Sequence, residues 1–271
     1  LGQAIHELSD DLGDLQPLSN DAHEGKQLQL MMLSDVVGEY SRGRWITKKK
    51  RASPAMAAYI DAAPGSNEHE AFCWDVMNEI ACVLDAEGVR ENPAKRDAYI
   101  KERRRPQYLM PLETPADKEV ILELYDQYRS LLRQEGFISI DQLIADYLGY
   151  LDSFRWDARR KRLGYDALFV DEYHLFNRAE CATFPALMRS VEQNPLIIVA
   201  LDPRQSPRAV FLQAAFGGAG IPIRFAARNL GQRDFEFVDV FRYTPEIARF
   251  LAFVNDAFPE TDLSEEWLPG V

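Results

Sequence analysis

Two adjacent acids, Asp171 and Glu172, close the run Tyr165-Asp166-Ala167-Leu168-Phe169-Val170. An apolar, strand-forming run that stops at two carboxylates predicts a buried strand delivering acids to the edge of a sheet, where open α/β folds bind ligands. One carboxylate at such an edge can anchor a hydrated magnesium ion, which prefers hard oxygen ligands and keeps most of its water. Its neighbour can then activate or orient a water that attacks a phosphate. A solvated acidic turn at the end of a strand uses the same two residues, so the pair alone leaves both readings open.

Two segments downstream fit the same chemistry. Leu196-Ile197-Ile198-Val199-Ala200-Leu201 is a second apolar run, followed by Asp202-Pro203-Arg204-Gln205-Ser206. Gln205 can bridge a metal-bound water or a terminal phosphate to a neighbouring site, although an Asp-Pro turn is also an ordinary strand ending. Further strands are predicted over Pro222–Ala226 and Phe235–Val240, the latter leading to Phe241-Arg242-Tyr243-Thr244-Pro245-Glu246. Thr244 and Pro245 are helix-opening residues. Arg242 just before them can place a bidentate guanidinium on a phosphate.

The order and spacing of the three segments resemble the N-terminal ATPase half of UvrD/Rep-type superfamily 1 DNA helicases. Val170-Asp171-Glu172-Tyr173-His174 is similar to motif II of that family, Ala200–Ser206 to motif III, and Val240–Glu246 to motif IV. Gly136-Phe137-Ile138-Ser139-Ile140-Asp141-Gln142-Leu143-Ile144 resembles the helix start that precedes motif II. The resemblance covers about residues 120–258. It implies ATP and Mg2+ as cofactors and single-stranded or duplex DNA as partner, with further helicase domains completing the motor. By the same resemblance Glu172 is the catalytic base and Asp171 holds Mg2+ through water. Gln205 senses the γ-phosphate, Arg242 acts as a built-in arginine finger, and Asp202 and His174 belong to the nucleotide side of the site.

The chain departs from that pattern at several positions. His174 stands where the family has Gln, and Leu201 replaces the motif III Gly. The aromatic that stacks a DNA base after motif III has no clear match, and Arg208 falls nearest its place. No G-x-x-x-x-G-K-[ST] phosphate loop occurs. Gly25-Lys26-Gln27 is the nearest approach and lacks the first glycine and the hydroxyl residue. Gly217-Gly218-Ala219-Gly220 lacks the fingerprint spacing and reads as a turn. The expectation is a middle piece of a larger helicase that does not hydrolyse ATP efficiently alone.

The elements that position these residues fall into two regions. Residues 1–160 read as a mostly helical, 1B-like region, and residues 161–271 as a RecA-like 1A region of alternating strands and helices carrying motifs II, III and IV. The fold class expected is therefore α/β, a partial RecA-like P-loop NTPase parallel sheet with a mostly helical insertion. Apolar spacing predicts helices from Glu68 to Glu87 with Gly88 as stop, from Ala116 to Gln134 ended by Gly136, and from Ser139-Ile140-Asp141 to Leu151. A shorter helix is expected over Pro185–Glu192 and another over Pro245–Phe258. Residues 1–65 read as short helices and loops, and residues 89–115, with four prolines, as an irregular connector.

The bulk composition sets limits. No apolar run approaches the roughly 18 residues of a membrane span. The three cysteines, Cys73, Cys82 and Cys181, include no Cys-x-x-Cys pair, which argues against a zinc site and for a reducing, cytoplasmic setting. The net charge of −12 disfavours nucleic acid in bulk, but sites depend on local charge. Lys48-Lys49-Lys50-Arg51, Arg103-Arg104-Arg105 and Arg159-Arg160-Lys161-Arg162 are basic clusters, of which Lys48, Lys49 and Lys50, with Arg208, are weak DNA-binding candidates. Trp45 and Trp156 beside two of them can stack bases, although buried structural roles suit them better.

Two other functions use the same residues. A degenerate helicase-like module that binds DNA or a protein without hydrolysing ATP accounts for the missing phosphate loop, His174 and Leu201. A metal-dependent phosphoesterase or nuclease built on Asp171, Glu172 and Asp202 leaves Gln205 and Arg242 unexplained.

Overall fold

Periodic apolar residues and strong caps set the helices. The structure, a computed structural model, describes residues 2–19, 22–90, 92–102, 109–189 and 196–200, with isolated positions between 246 and 253. The described residues are mixed α/β, mostly helical, with two small parallel sheets. The elements run α1 (Gly2–Glu7), α2 (Ser9–Leu12), β1 (Gln16–Pro17), α3 (Ala22–Arg42), α4 (Trp45–Lys48), α5 (Pro54–Ile60), α6 (Asn67–Glu79), α7 (Pro93–Lys101), α8 (Pro115–Gln134), β2 (Phe137–Ile138), α9 (Ile140–Leu151), α10 (Phe154–Leu163), β3 (Ala167–Val170), α11 (Arg178–Ala186) and β4 (Leu196–Val199).

The predicted helices over Ala116–Gln134 and from Ser139 to Leu151 are α8 and α9. Thr114 caps α8 in a reciprocal box with Asp117, and Pro115 opens it at the position where no N–H is needed. Gly136 ends α8 at φ +77°, a left-handed conformation that glycine adopts without a Cβ penalty. The Ser139 hydroxyl caps α9 by accepting from the Gln142 N–H at 3.1 Å. The predicted helix from Glu68 is α6, which passes without a break into a π-helical segment, Ile80–Asp85, before Gly88 turns the chain at φ +61°.

Three expectations are corrected. Residues 1–65 contain a long helix, α3, besides the short ones. Leu33, Val36, Val37 and Tyr40 recur at helical spacing and are all buried, and no proline interrupts them. The connector over 89–115 contains α7, because Pro93 sits at its first position and the Asn92 side chain accepts from the Ala94 and Lys95 N–H groups. The helix after β3 is Arg178–Ala186 rather than Pro185–Glu192. A capping box of Asn177 and Glu180 sets its start, and Pro185 falls in its last turn. The strands expected over Pro222–Ala226 and Phe235–Val240 lie outside the described residues, as does most of Pro245–Phe258.

The largest core joins α3, α6, the π segment and α8 around Leu33, Phe72, Val76, Leu84, Val120 and Leu124. A second core packs α1, α2, α9 and α10 around Leu143, Tyr147 and Trp156 and reaches across residue 160 to Leu163, Ala186 and Leu187. Trp45 and Trp156 are 2% and 0% exposed, so both serve the interior as expected. The Trp45 indole donates to Asp61 and the Trp156 indole to the Ala186 carbonyl, each at 2.9 Å.

Strands β3 and β4 pair in parallel with Ala167 opposite Leu196 and Val170 opposite Val199. They are connected through α11, which supports the predicted alternation of strand and helix. Tyr165 aligns the approach to β3, donating to the Leu187 carbonyl and accepting from Arg189. Gly164 permits this, since any Cβ there would lie 2.5 Å from the Arg189 Cα and 2.7 Å from the Arg160 carbonyl.

Candidate active site

The two carboxylates stand at the end of a strand, as the sequence places them, but the strands are not buried as expected. Ala167 and Phe169 of β3 and Leu196 and Ile198 of β4 are exposed, because the two-stranded pair is covered on one face only among the described residues. Val170 is buried at the end of β3, while Asp171 and Glu172 are exposed beyond it. The ladder continues past them: the Ala200 N–H donates to the Val170 carbonyl and the Tyr173 N–H donates to the Ala200 carbonyl, both at 2.8 Å. The loop after β3 is therefore stitched to the residue that leads out of β4. The C-terminal ends of two adjacent parallel strands share one edge, and the acid pair projects from it.

Glu172 adopts φ 51° and ψ 43°, the left-handed region, although it carries a side chain. Such a residue costs about 1–2 kcal/mol. The surrounding bonds hold it there. Its N–H donates to Asp171 Oδ1 at 3.0 Å, and the Leu175 N–H donates to its carbonyl at 2.9 Å. Tyr173 is buried against Phe184, ring centres 5.8 Å apart, and this anchors the following turn, Tyr173–Leu175.

His174 is 1% exposed, and its Nε2 lies 3.2 Å from Glu172 Oε2. A carboxylate only accepts, so Nε2 carries the hydrogen in this contact. His174 thus braces the carboxylate of Glu172 from the protein side and leaves its solvent side open. No spacing rule would have revealed this contact.

Asn177 and Glu180 connect the loop to the helical block. The Asn177 amide donates to Asp141 Oδ1 at 3.4 Å, and Lys26 Nζ lies 2.5 Å from Asp141 Oδ2. The lysine of Gly25-Lys26-Gln27 therefore joins α3 to α9 in an ion pair. Sequence reasoning missed Asn177 and Glu180, although Asn-x-x-Glu is a readable capping signature.

Burial pushes the Glu180 carboxyl from 4.5 up to about 7, with the Asn177 N–H opposing, Asp141 adding and Lys26 opposing. Burial likewise raises Asp85 from 3.8 to about 6 against the pull of the Tyr125 hydroxyl and Arg90. Both folded values exceed the unfolded ones, so the folded state holds more protons between about pH 4 and 7. Stability then falls as pH rises through that window. Glu180→Gln, which keeps the capping bond to the Asn177 N–H, is expected to flatten this fall. It should stabilise the chain at pH 8 by roughly 2 kcal/mol while changing little at pH 4.5. Urea unfolding at the two pH values measures both; an unchanged slope would refute the assignment.

The donor set at the edge suits a hydrated magnesium ion. Asp171 offers hard oxygen from an exposed position, and Glu172 stands beside it for a water. Among the described residues no group of three His, Cys, Asp or Glu side chains is arranged to hold a metal. Asp202, Gln205, Arg208 and Arg242 lie outside the described residues.

Two of the basic candidates, Lys48 and Lys49, are engaged with acids. Lys48 Nζ lies 2.9 Å from Glu123 and 3.1 Å from Glu119, contacts that raise its pKa. Lys49 Nζ lies 2.5 Å from Asp61, and Arg51 3.5 Å from Glu119, while Lys50 is exposed. Cys73, Cys82 and Cys181 are free thiols, all buried. Among the described residues no helix is long and apolar enough to cross a membrane. No family model, no curated protein and no solved structure matches the chain.

Proposed function

We propose that this chain is part of an ATP-dependent superfamily 1 DNA helicase or translocase, comprising a helical 1B-like insertion and part of a RecA-like 1A domain. One observation carries the reading: the exposed Asp171–Glu172 pair at the shared C-terminal edge of the parallel strands β3 and β4. Support also comes from the motif order in the sequence and from the left-handed Glu172, a strained residue of the kind that clusters at functional sites.

When bound, ATP with Mg2+ supplies the scissile phosphate and the charge that neutralises it. Asp171 would hold the ion. Glu172, braced by His174, would take the proton of the attacking water. Asp202, Gln205 and Arg242 complete the nucleotide side, with Gln205 coupling it to DNA. Of the basic candidates, exposed Lys50 and Arg208 contribute phosphate contacts to single-stranded DNA, since Lys48 and Lys49 are engaged with Glu119, Glu123 and Asp61.

The test is ATP hydrolysis, with and without single-stranded DNA, by a protein that unites this chain with a phosphate loop and second motor domain. Hydrolysis that requires DNA supports the motor. A well-folded protein that binds DNA and hydrolyses nothing supports the second reading, a helicase-like binding module. That reading is favoured by one contact: Lys26 is committed to Asp141, leaving the nearest approach to a phosphate-loop lysine in a structural ion pair.

A further inference from the structure

The corner between α3 and α4 concentrates positive charge. From Tyr40 to Ile60 the chain carries six cations, Arg42, Arg44, Lys48, Lys49, Lys50 and Arg51, and no acid. Acids from elsewhere reach three of them. Glu119 and Glu123 meet Lys48, Asp61 meets Lys49, and Glu119 also meets Arg51. Arg42, Arg44 and Lys50 are exposed, and no side-chain hydrogen bond or ion pair holds them among the described residues. Arg44 acts on the buried Tyr40 through its charge. Counting exposed Glu39 with the three partner acids still leaves an excess of two positive charges in a chain of net charge −12. At physiological salt a surface charge is screened beyond about 8 Å, so the local excess decides what docks here.

The backbone under these cations is pinned. The Gly43 N–H donates to the Tyr40 carbonyl at 3.2 Å and the Ile46 N–H to the Gly43 carbonyl at 3.3 Å. The Thr47 N–H donates to the Arg44 carbonyl at 3.2 Å and the Lys49 N–H to the Trp45 carbonyl at 2.9 Å. Trp45 anchors these turns from inside through its bond to Asp61. Its neighbour Ile46 is 68% exposed, with Lys50 four residues on and so on the same side of the turn. A fixed row of cations loses less entropy on binding than a flexible one.

We propose that this corner binds the sugar–phosphate backbone of a nucleic-acid duplex, with Arg42 and Arg44 on phosphates and Ile46 against the sugars. Guanidinium forks match phosphate oxygens in geometry. Both rings of the corner, Tyr40 and Trp45, are buried, so it offers no platform for unstacked bases. One exposed aliphatic side chain is little to insert into a lipid surface. The choice of nucleic acid among polyanions rests on the helicase reading; the cation site rests on the corner alone. Lys50, given above to single-stranded DNA, then stands where duplex passes into single strand.

The test uses the 271-residue chain and a variant combining Arg42→Gln with Arg44→Gln. Both positions are exposed, so the core is spared; Arg42→Gln alone serves if the double variant misfolds. Anisotropy of a labelled blunt duplex and of a labelled single strand is followed across salt concentrations, without nucleotide. Co-sedimentation with phosphatidylserine vesicles is measured beside it. Duplex affinity is expected to fall about tenfold in the double variant and its salt slope to drop by about two, with a smaller change for the single strand. Duplex binding that is absent, or equal in both proteins, overturns the site. So does an equal fall for duplex and single strand, or vesicle capture that needs the arginines while duplex binding does not. ATP hydrolysis plays no part in these readings. Duplex binding that needs Arg42 and Arg44 in a protein that hydrolyses nothing keeps the site and sinks the motor.

Discussion

If the proposed motor reading holds, Glu172→Gln in a protein that joins this chain to a phosphate loop is expected to reduce DNA-stimulated ATP turnover by about 10²–10⁴-fold. The substitution keeps the shape of the side chain and removes its ability to take a proton. His174 Nε2, 3.2 Å from Glu172 Oε2, can still donate to the amide oxygen, so the brace survives and the loop keeps its form. The expected signature is therefore a fall in kcat with the KM for ATP within a few fold, the pattern of an interaction made mainly in the transition state. Steady-state hydrolysis with saturating single-stranded DNA measures both. If the variant retains more than about a tenth of the activity, Glu172 is not the base.

The largest expected stability effect is at Trp156. Its side chain is fully buried between α9 and the end of α11, its ring 6.1 Å from that of Tyr150, and its indole N–H donates to the Ala186 carbonyl. Arg160, one turn later, donates to the same carbonyl at 2.8 Å. Trp156→Ala leaves a large cavity and removes one of these two bonds, and should cost about 3–5 kcal/mol. Trp156→Phe retains most of the volume and should cost about 1–2 kcal/mol. Urea unfolding of the chain measures both. A loss under 1 kcal/mol for Trp156→Ala would show that α10 and α11 do not depend on this contact.

Local signals were readable where one feature dominated a segment. β3 and β4 are short apolar runs, and α8 and α9 combine an apolar stripe with a hydroxyl cap, α8 being stopped by Gly136 as well. The acid pair was visible because it ends such a run. Helix α3 was obscured because exposed polar residues and two glycines dilute its stripe. Helix α7 was obscured because Pro93 looks like a breaker unless it stands at the first helical position. Contacts between distant residues were unreadable. Lys26 and Asp141 lie 115 residues apart, and neither carries a pattern that names the other. The left-handed Glu172 and the buried His174 depend on Tyr173 reaching Ala200 across the sheet, which no local spacing encodes.

The two-residue parallel pairing of β1 with β2 turns the intervening chain into a closed excursion. Gln16 sits opposite Phe137 and Pro17 opposite Ile138, so residues 18–136 return beside their point of departure. Closing a loop costs entropy that grows only with the logarithm of its length, and doubling this one adds only about 0.6 kcal/mol. Whole helices can therefore be gained or lost within the excursion at little entropic cost to its closure. Asp171 and Glu172, beyond β3, lie outside this excursion in the chain.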